Sequence, residues 1–125
     1  MQKDKASADE LISLIIHGIE EVKGVEVNLL DLREIENTVC DYFIICNGTS
    51  NTHVNAIVSS VQKTVSKAIK DKPWHVEGSE NAEWVLMDYV NVVVHVFQKQ
   101  IRDFYDIESL WGDAKVTHIE SSFNQ

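Results

Sequence analysis

A chain of 125 residues, 44% hydrophobic and 25% charged, has the size and composition of one globular domain that can bury its own core. Its formal net charge of −9 speaks against binding driven by nucleic-acid phosphates, which needs a basic patch, and favours a basic partner. No apolar run reaches the ~18 residues of a membrane span, and the start MQKDKASADE lacks the apolar stretch of a signal peptide, so a cytoplasmic protein without a membrane partner is expected.

Ser7 to Lys23 reads as a helix: Ser7 with Glu10 is a capping-box pair, and Leu11, Leu14, Ile15, Ile19 and Val22 form the buried stripe. Gly24 supplies a left-handed stop. Val25 to Leu32 begins as a strand, alternating at Val25, Val27 and Leu29, and Arg33 to Val39 reads as a loop. Asp41 to Asn47 (DYFIICN) is an almost continuous apolar run, as in a strand covered on both faces. A second helix follows to about Lys70, with Val54, Ile57, Val58, Val61, Val65 and Ile69 at helical spacing and Lys63, Lys67 and Lys70 as a solvated edge. Pro73 closes that segment, and His75 to Asn81 is turn-rich. Lys99 to Tyr105 is a short helix, and Asp106 can cap another over Ile107 to Trp111, closed by Gly112. The whole reads as a single domain over 1–125, with its core over about 7–112 and a polar, mobile tail over 113–125. A strand–loop–helix step beside an antiparallel hairpin implies an α/β (α+β) sandwich, a small mixed sheet flanked by helices.

The hairpin WVLMDYVNVVVHVF carries most of the information. A two-residue turn at Val90-Asn91 or Tyr89-Val90 pairs even positions with odd ones. Val85, Met87, Tyr89, Val92, Val94 and Val96 then share a face that must be core. Trp84, Leu86, Asp88, Val93, His95 and Phe97 share the other, which is mixed. Leu86, His95 and Phe97 suit a second covered face, whereas Trp84 and Asp88 at its rim suit a contact surface, since Trp beside charge is a frequent binding hot spot.

Chemistry finds little support. Gly48-Thr49-Ser50 between strand and helix could cradle an anion, but no GxxxxGK[ST] or GxGxxG occurs, and Thr49, Ser50 or Thr52 acting as N-cap explains the same letters. Asp41 and Asp88 fall on different strands, and there is no DxD to hold a metal. His17, His53, His75, His95 and His118 are scattered singly, and His95 reads as a satisfied buried imidazole. Cys40 and Cys46 lack a CxxC spacing and are expected to be reduced. No catalytic residue, cofactor or metal is expected, and an enzyme is not the preferred reading.

The blocks DYFIICNGTSNTHVNAI, VEG, Trp84-x-Leu86-x-Asp88, VVVHVF and R-x-FYDIESLW, in this order, resemble the ribosomal silencing factor (Iojap-related) family over Leu11 to about Trp111. The resemblance implies a sheet-and-helix fold related in shape to nucleotidyltransferases but without their active site. It implies docking on the large ribosomal subunit through one of its proteins, the fourteenth in the usual numbering, at the face that meets the small subunit. Occupying that face would block subunit joining and repress translation in starvation; organellar relatives act in large-subunit assembly. The docking residues carried over by the resemblance are Trp84 and Asp88, with Leu86, Tyr89 and Asn91 adjacent and Tyr105 and Trp111 in the C-terminal block. Two departures stand out: the family's usual Gly-Asp turn is Val90-Asn91 here, and a cation common after the Thr-Ser pair is Thr52. A turn that needs positive φ at Val90 would be strained, so an altered tip with one acidic group fewer is expected. The alternatives are a large-subunit assembly factor on the same interface, or a nucleotide-binding enzyme using the Gly48–Thr52 turn. The apolar hairpin rim also suits a homodimer of the free protein.

Overall fold

The computed structural model of the chain describes residues 7–38 and 40–120. Residues 1–6, the end of the expected tail over 121–125, and Val39, last in the expected 33–39 loop, lie outside the described residues. In chain order the elements are α1 (Ala8–Glu21), β1 (Val25–Asp31), β2 (Tyr42–Gly48), α2 (Asn51–Ile69), β3 (His75–Glu77), β4 (Trp84–Asp88), β5 (Val92–Gln98), α3 (Lys99–Tyr105), α4 (Ile107–Leu110) and β6 (Lys115–Ile119). They build the expected mixed sheet flanked by helices: six strands in the order β3-β4-β5-β2-β1-β6, antiparallel except for the central β2–β5 pair.

Local sequence explains the helix limits. The Ser7 hydroxyl accepts the Glu10 N–H at 3.0 Å, and the Ser50 hydroxyl accepts the His53 N–H at 3.1 Å, so α1 and α2 each start on a side chain that satisfies a free donor, whereas Asp106, at φ +47°, makes no such cap bond to α4. The left-handed residue that ends α1 is Lys23, at φ +63°, and not Gly24. Gly24 is needed for a different reason: a Cβ there would sit 2.4 Å from Ile19 Cγ2. Lys70, at φ +56°, ends α2 ahead of Pro73.

Helices α1 and α2 pack on each other and cover one face of the sheet. Ile15, Ile19, Val54, Ile57, Val61 and Val65 meet Ile44, Cys46, Val85, Met87, Val94 and Val96 there. Gly18 lets the two helices touch: a Cβ added to it would lie 2.8 Å from Val61 Cα, and the Ser60 hydroxyl already donates to the Gly18 carbonyl at 2.7 Å. Gly18→Ala should therefore cost about 1–3 kcal/mol by overpacking, read as a lowered urea midpoint with native helical circular dichroism retained.

The opposite face carries a smaller core of Leu30, Leu32, Cys40, Ile45, Val93, Phe97 and Ile107, partly roofed by α3 and α4. β2 is buried on both sides, as its apolar run requires. Three features depart from expectation. β1 carries a bulge between Val25 and Asn28, with Glu26 at φ +56°, so Val25 pairs with Asn47 and leaves the face of Val27 and Leu29. The turn-rich stretch contains β3, which pairs with β4. The tail from Asp113 is not loose throughout, because β6 pairs with β1 from Asp31↔Lys115 to Val27↔Ile119. No described helix is long and apolar enough to cross a membrane.

Candidate functional site

The hairpin register is Trp84↔Phe97 to Asp88↔Val93, which sets the turn at Val90-Asn91 and distributes the side chains as their alternation requires. The strain expected at Val90 is present, with φ at +79°. The Asn91 N–H donates to the Tyr89 carbonyl at 3.0 Å, an i→i+2 bond of the γ-turn kind, while Asp88 Oδ1 accepts the Val90 N–H at 2.7 Å. One oxygen of Asp88 is thus committed to the tip.

An aromatic strip runs along the mixed face. Trp84 stacks on Phe97 (centroids 4.8 Å apart, planes at 28°), and Tyr105 from α3 lies tilted against the indole at 5.1 Å. The Trp84 indole Nε1–H donates to His95 Nδ1 at 3.1 Å. Phe43 stands edge-on to His95 at 4.6 Å, and Trp111 is perpendicular to Phe43 at 5.6 Å. Outward from this strip, Phe104 is 78% exposed, Leu110 75% and Tyr105 50%. At the hairpin tip Trp74 is 80% exposed and Val90 55%, and the Trp74 N–H bonds to the Asp88 carbonyl at 2.6 Å. Exposed aromatics of this number, with Asp88 and Glu77 on the same side, suit a protein surface and not a small ligand.

Of the residues assigned to docking, Trp84, Leu86, Asp88 and Tyr105 come together here, and Trp111 joins through Phe43. Asn91 is exposed at the tip. Tyr89 is a correction: it points to the helix-covered face and is only 6% exposed, so its ring does not share the surface of Trp84. Burial pushes its phenol well above the ordinary range, and no partner reaches the hydroxyl among the described residues. His95 is a second correction, being satisfied at Nδ1 only; Nε2 is buried without a partner. Burial alone lowers its pKa to about 4. Phe104, Leu110 and Trp74 escaped notice because nothing in a helical or strand period marks a residue as the one left outside.

Behind the strip, Arg102 is buried at 6% exposure and joins α3 to three other elements. Its Nη1 donates to the Glu26 carbonyl at 2.6 Å and to Asn47 Oδ1 at 2.7 Å, and its Nη2 to Glu108 Oε2 at 2.8 Å. Asn28 also donates to Glu108. Burial pushes the Glu108 carboxyl up, but the bonds from Arg102 and Asn28 outweigh it and leave the pKa below its ordinary value.

The Gly48–Thr52 turn is spent on its own chain. The Thr49 N–H donates to His53 Nδ1 at 2.9 Å, His53 Nε2 reaches the Val22 carbonyl at 2.7 Å, and the imidazole lies 3.1 Å from where a Cβ on Gly48 would stand. Both thiols are buried, and burial raises Cys40 to about 11 and Cys46 to about 12.

Residues 5–125 match the family described as ribosomal silencing factor during starvation. The chain is 38% identical over 115 residues to Ribosomal silencing factor RsfS of Halalkalibacterium halodurans, covering 91% of this chain and 96% of that one. It is 40% identical over 106 residues to the protein of the same name from Chromobacterium violaceum, covering 85% of each. A crystal structure from Chromobacterium violaceum superposes with a TM-score of 0.80 at 36% identity, covering 94% of this chain and 97% of that one.

Proposed function

This chain belongs to the ribosomal silencing factor family, and from that premise we propose that it docks on the large ribosomal subunit and blocks its joining to the small one, repressing translation in starvation. The partner within the subunit is its fourteenth protein, met at the intersubunit face by the Trp84 strip. The observation that carries this reading is the exposed aromatic surface around Trp84, Tyr105 and Phe104, with the Asp88 carboxylate at its end. Apolar burial by the rings and a charge-assisted bond from Asp88 to a Lys or Arg would supply affinity and orientation.

The chain acts in this reading by occupancy, without catalysis. One observation supports that: in the turn before α2 the His53 N–H already donates to the Ser50 hydroxyl and the Thr49 N–H to His53 Nδ1. The test is co-sedimentation with isolated large subunits, followed by addition of small ones. Trp84→Ala should weaken binding by about 2 kcal/mol, roughly thirtyfold, and restore joining in proportion. Asp88→Asn keeps an acceptor for the Val90 N–H while removing the charge, and so separates the tip from the contact. Folded variants that bind as the wild type does would remove this surface from consideration.

A further inference from the structure

His95 stands in the middle of β5 among Val93, Val94, Val96 and Phe97, all of them buried apolar residues. An imidazole is an awkward choice there. Its ring is 4% exposed, and its Nε2 has no partner among the described residues. Because Nδ1 accepts the indole proton of Trp84, the neutral ring must carry its own proton on Nε2. The fold therefore buries an unpaired N–H, a penalty that a leucine or phenylalanine at this position would avoid. With its pKa near 4, the ring is neutral around pH 7 and Nδ1 stays an acceptor. The polar contact the residue does make is the one to Trp84, and a buried polar group retained at a cost draws its value from the contact it makes.

Trp84 needs such a contact. It is the direct cross-strand partner of Phe97, while His95 lies diagonally across the pair, opposite Leu86. Stacking on Phe97 and contact with the half-exposed Tyr105 fix the plane of the indole but leave its direction in that plane open. The bond to Nδ1 is directional and closes that freedom. We infer that His95 is a positioning residue of the docking surface, which holds the Trp84 indole in one orientation before the partner arrives. Preorganisation of this kind strengthens binding by removing the cost of ordering the side chain during association.

The inference rests on the Trp84 strip being the docking surface, so the experiment tests the two separately. His95→Leu removes the acceptor, and His95→Phe, closer in shape, does the same should the leucine form fail to fold. His95→Asn places an amide oxygen near the site of Nδ1. Hydrogen exchange of the Trp84 indole N–H, assigned with Trp84→Phe, reports the bond without any partner. It should be slow in the wild type and in His95→Asn, and about tenfold faster or more in the acceptor-free forms. Large-subunit binding should fall about fivefold in those forms and largely recover in His95→Asn, a difference equal to one hydrogen bond. Unfolding midpoints should not follow that order, since leucine also removes the unpaired N–H. Unchanged indole exchange in His95→Leu or His95→Phe overturns the positioning role outright. Wild-type binding by those variants, where Trp84→Ala binds weakly, overturns it while leaving the docking surface intact. Wild-type binding by Trp84→Ala removes the docking surface, and indole exchange still decides whether His95 orients the ring.

Discussion

Replacing Arg102 with leucine is expected to destabilise the protein by about 3–5 kcal/mol, the scale at which one member of a buried ion pair is lost. The guanidinium satisfies the Glu108 carboxylate, the Asn47 amide oxygen and the Glu26 carbonyl together, so its removal leaves all three short of a donor. An unfolding titration in urea should show a much lower midpoint, with the signal of Trp111, which follows α4, changing first as α3 and α4 detach. The double variant Arg102→Leu with Glu108→Leu should recover part of the loss, because no charge is then stranded. A double variant no more stable than the single one would mean that the bonds to Glu26 and Asn47, and not the ion pair, make Arg102 matter.

Acid should weaken the fold through His95. In the unfolded chain this histidine takes up a proton near its ordinary 6.5, whereas burial holds it at about 4 in the fold. Between those values the unfolded state binds more protons, so stability falls as pH falls, and the effect levels off below about 4. The difference amounts to about 2 kcal/mol between pH 7 and 5, and about 3 kcal/mol in full. His95→Asn cannot titrate there and should lose correspondingly less over the same interval. Comparing urea midpoints of both proteins at the two pH values checks this, since contributions common to both cancel. Equal losses would mean that the imidazole already finds a proton acceptor inside the folded protein.

The sequence disclosed those features that a short period controls. A two-residue turn and strict alternation assign every side chain of β4 and β5 to its face, and helical spacing alone predicts the buried stripe of α2 despite its many β-branched residues. What stayed hidden depends on distant partners. The bulge at Glu26 puts its carbonyl on the guanidinium of Arg102, 76 residues further along. β6 escaped because its stability comes from the ladder to β1 and not from burial; Lys115 to His118 are all exposed, so no apolar face announces it. The rim position of Trp84 could be read from its place in the hairpin. Its bond to His95 could not, since it runs diagonally between strands. The family resemblance counts Tyr89 among the docking neighbours, whereas the pleat turns it inward, as the alternation of the hairpin requires.

Having two open edges and an uncovered greasy strip is a hazard for any sheet protein, and the placement of β6 bears on it. By lining the outer side of β1, this last strand hides a row of free amides beside Leu29 and Leu30 and offers in exchange a margin that carries Lys115 and His118. The far margin, β3, spans three residues just after Pro73 and presents a hydrogen-bonded polar pair, His75 with the Glu77 carboxylate. Charge, brevity and proline are poor templates for strand-by-strand growth. Self-association through the backbone is thereby discouraged at both borders, and the molecule can keep its rings uncovered, as the proposed docking requires, without inviting fibrils.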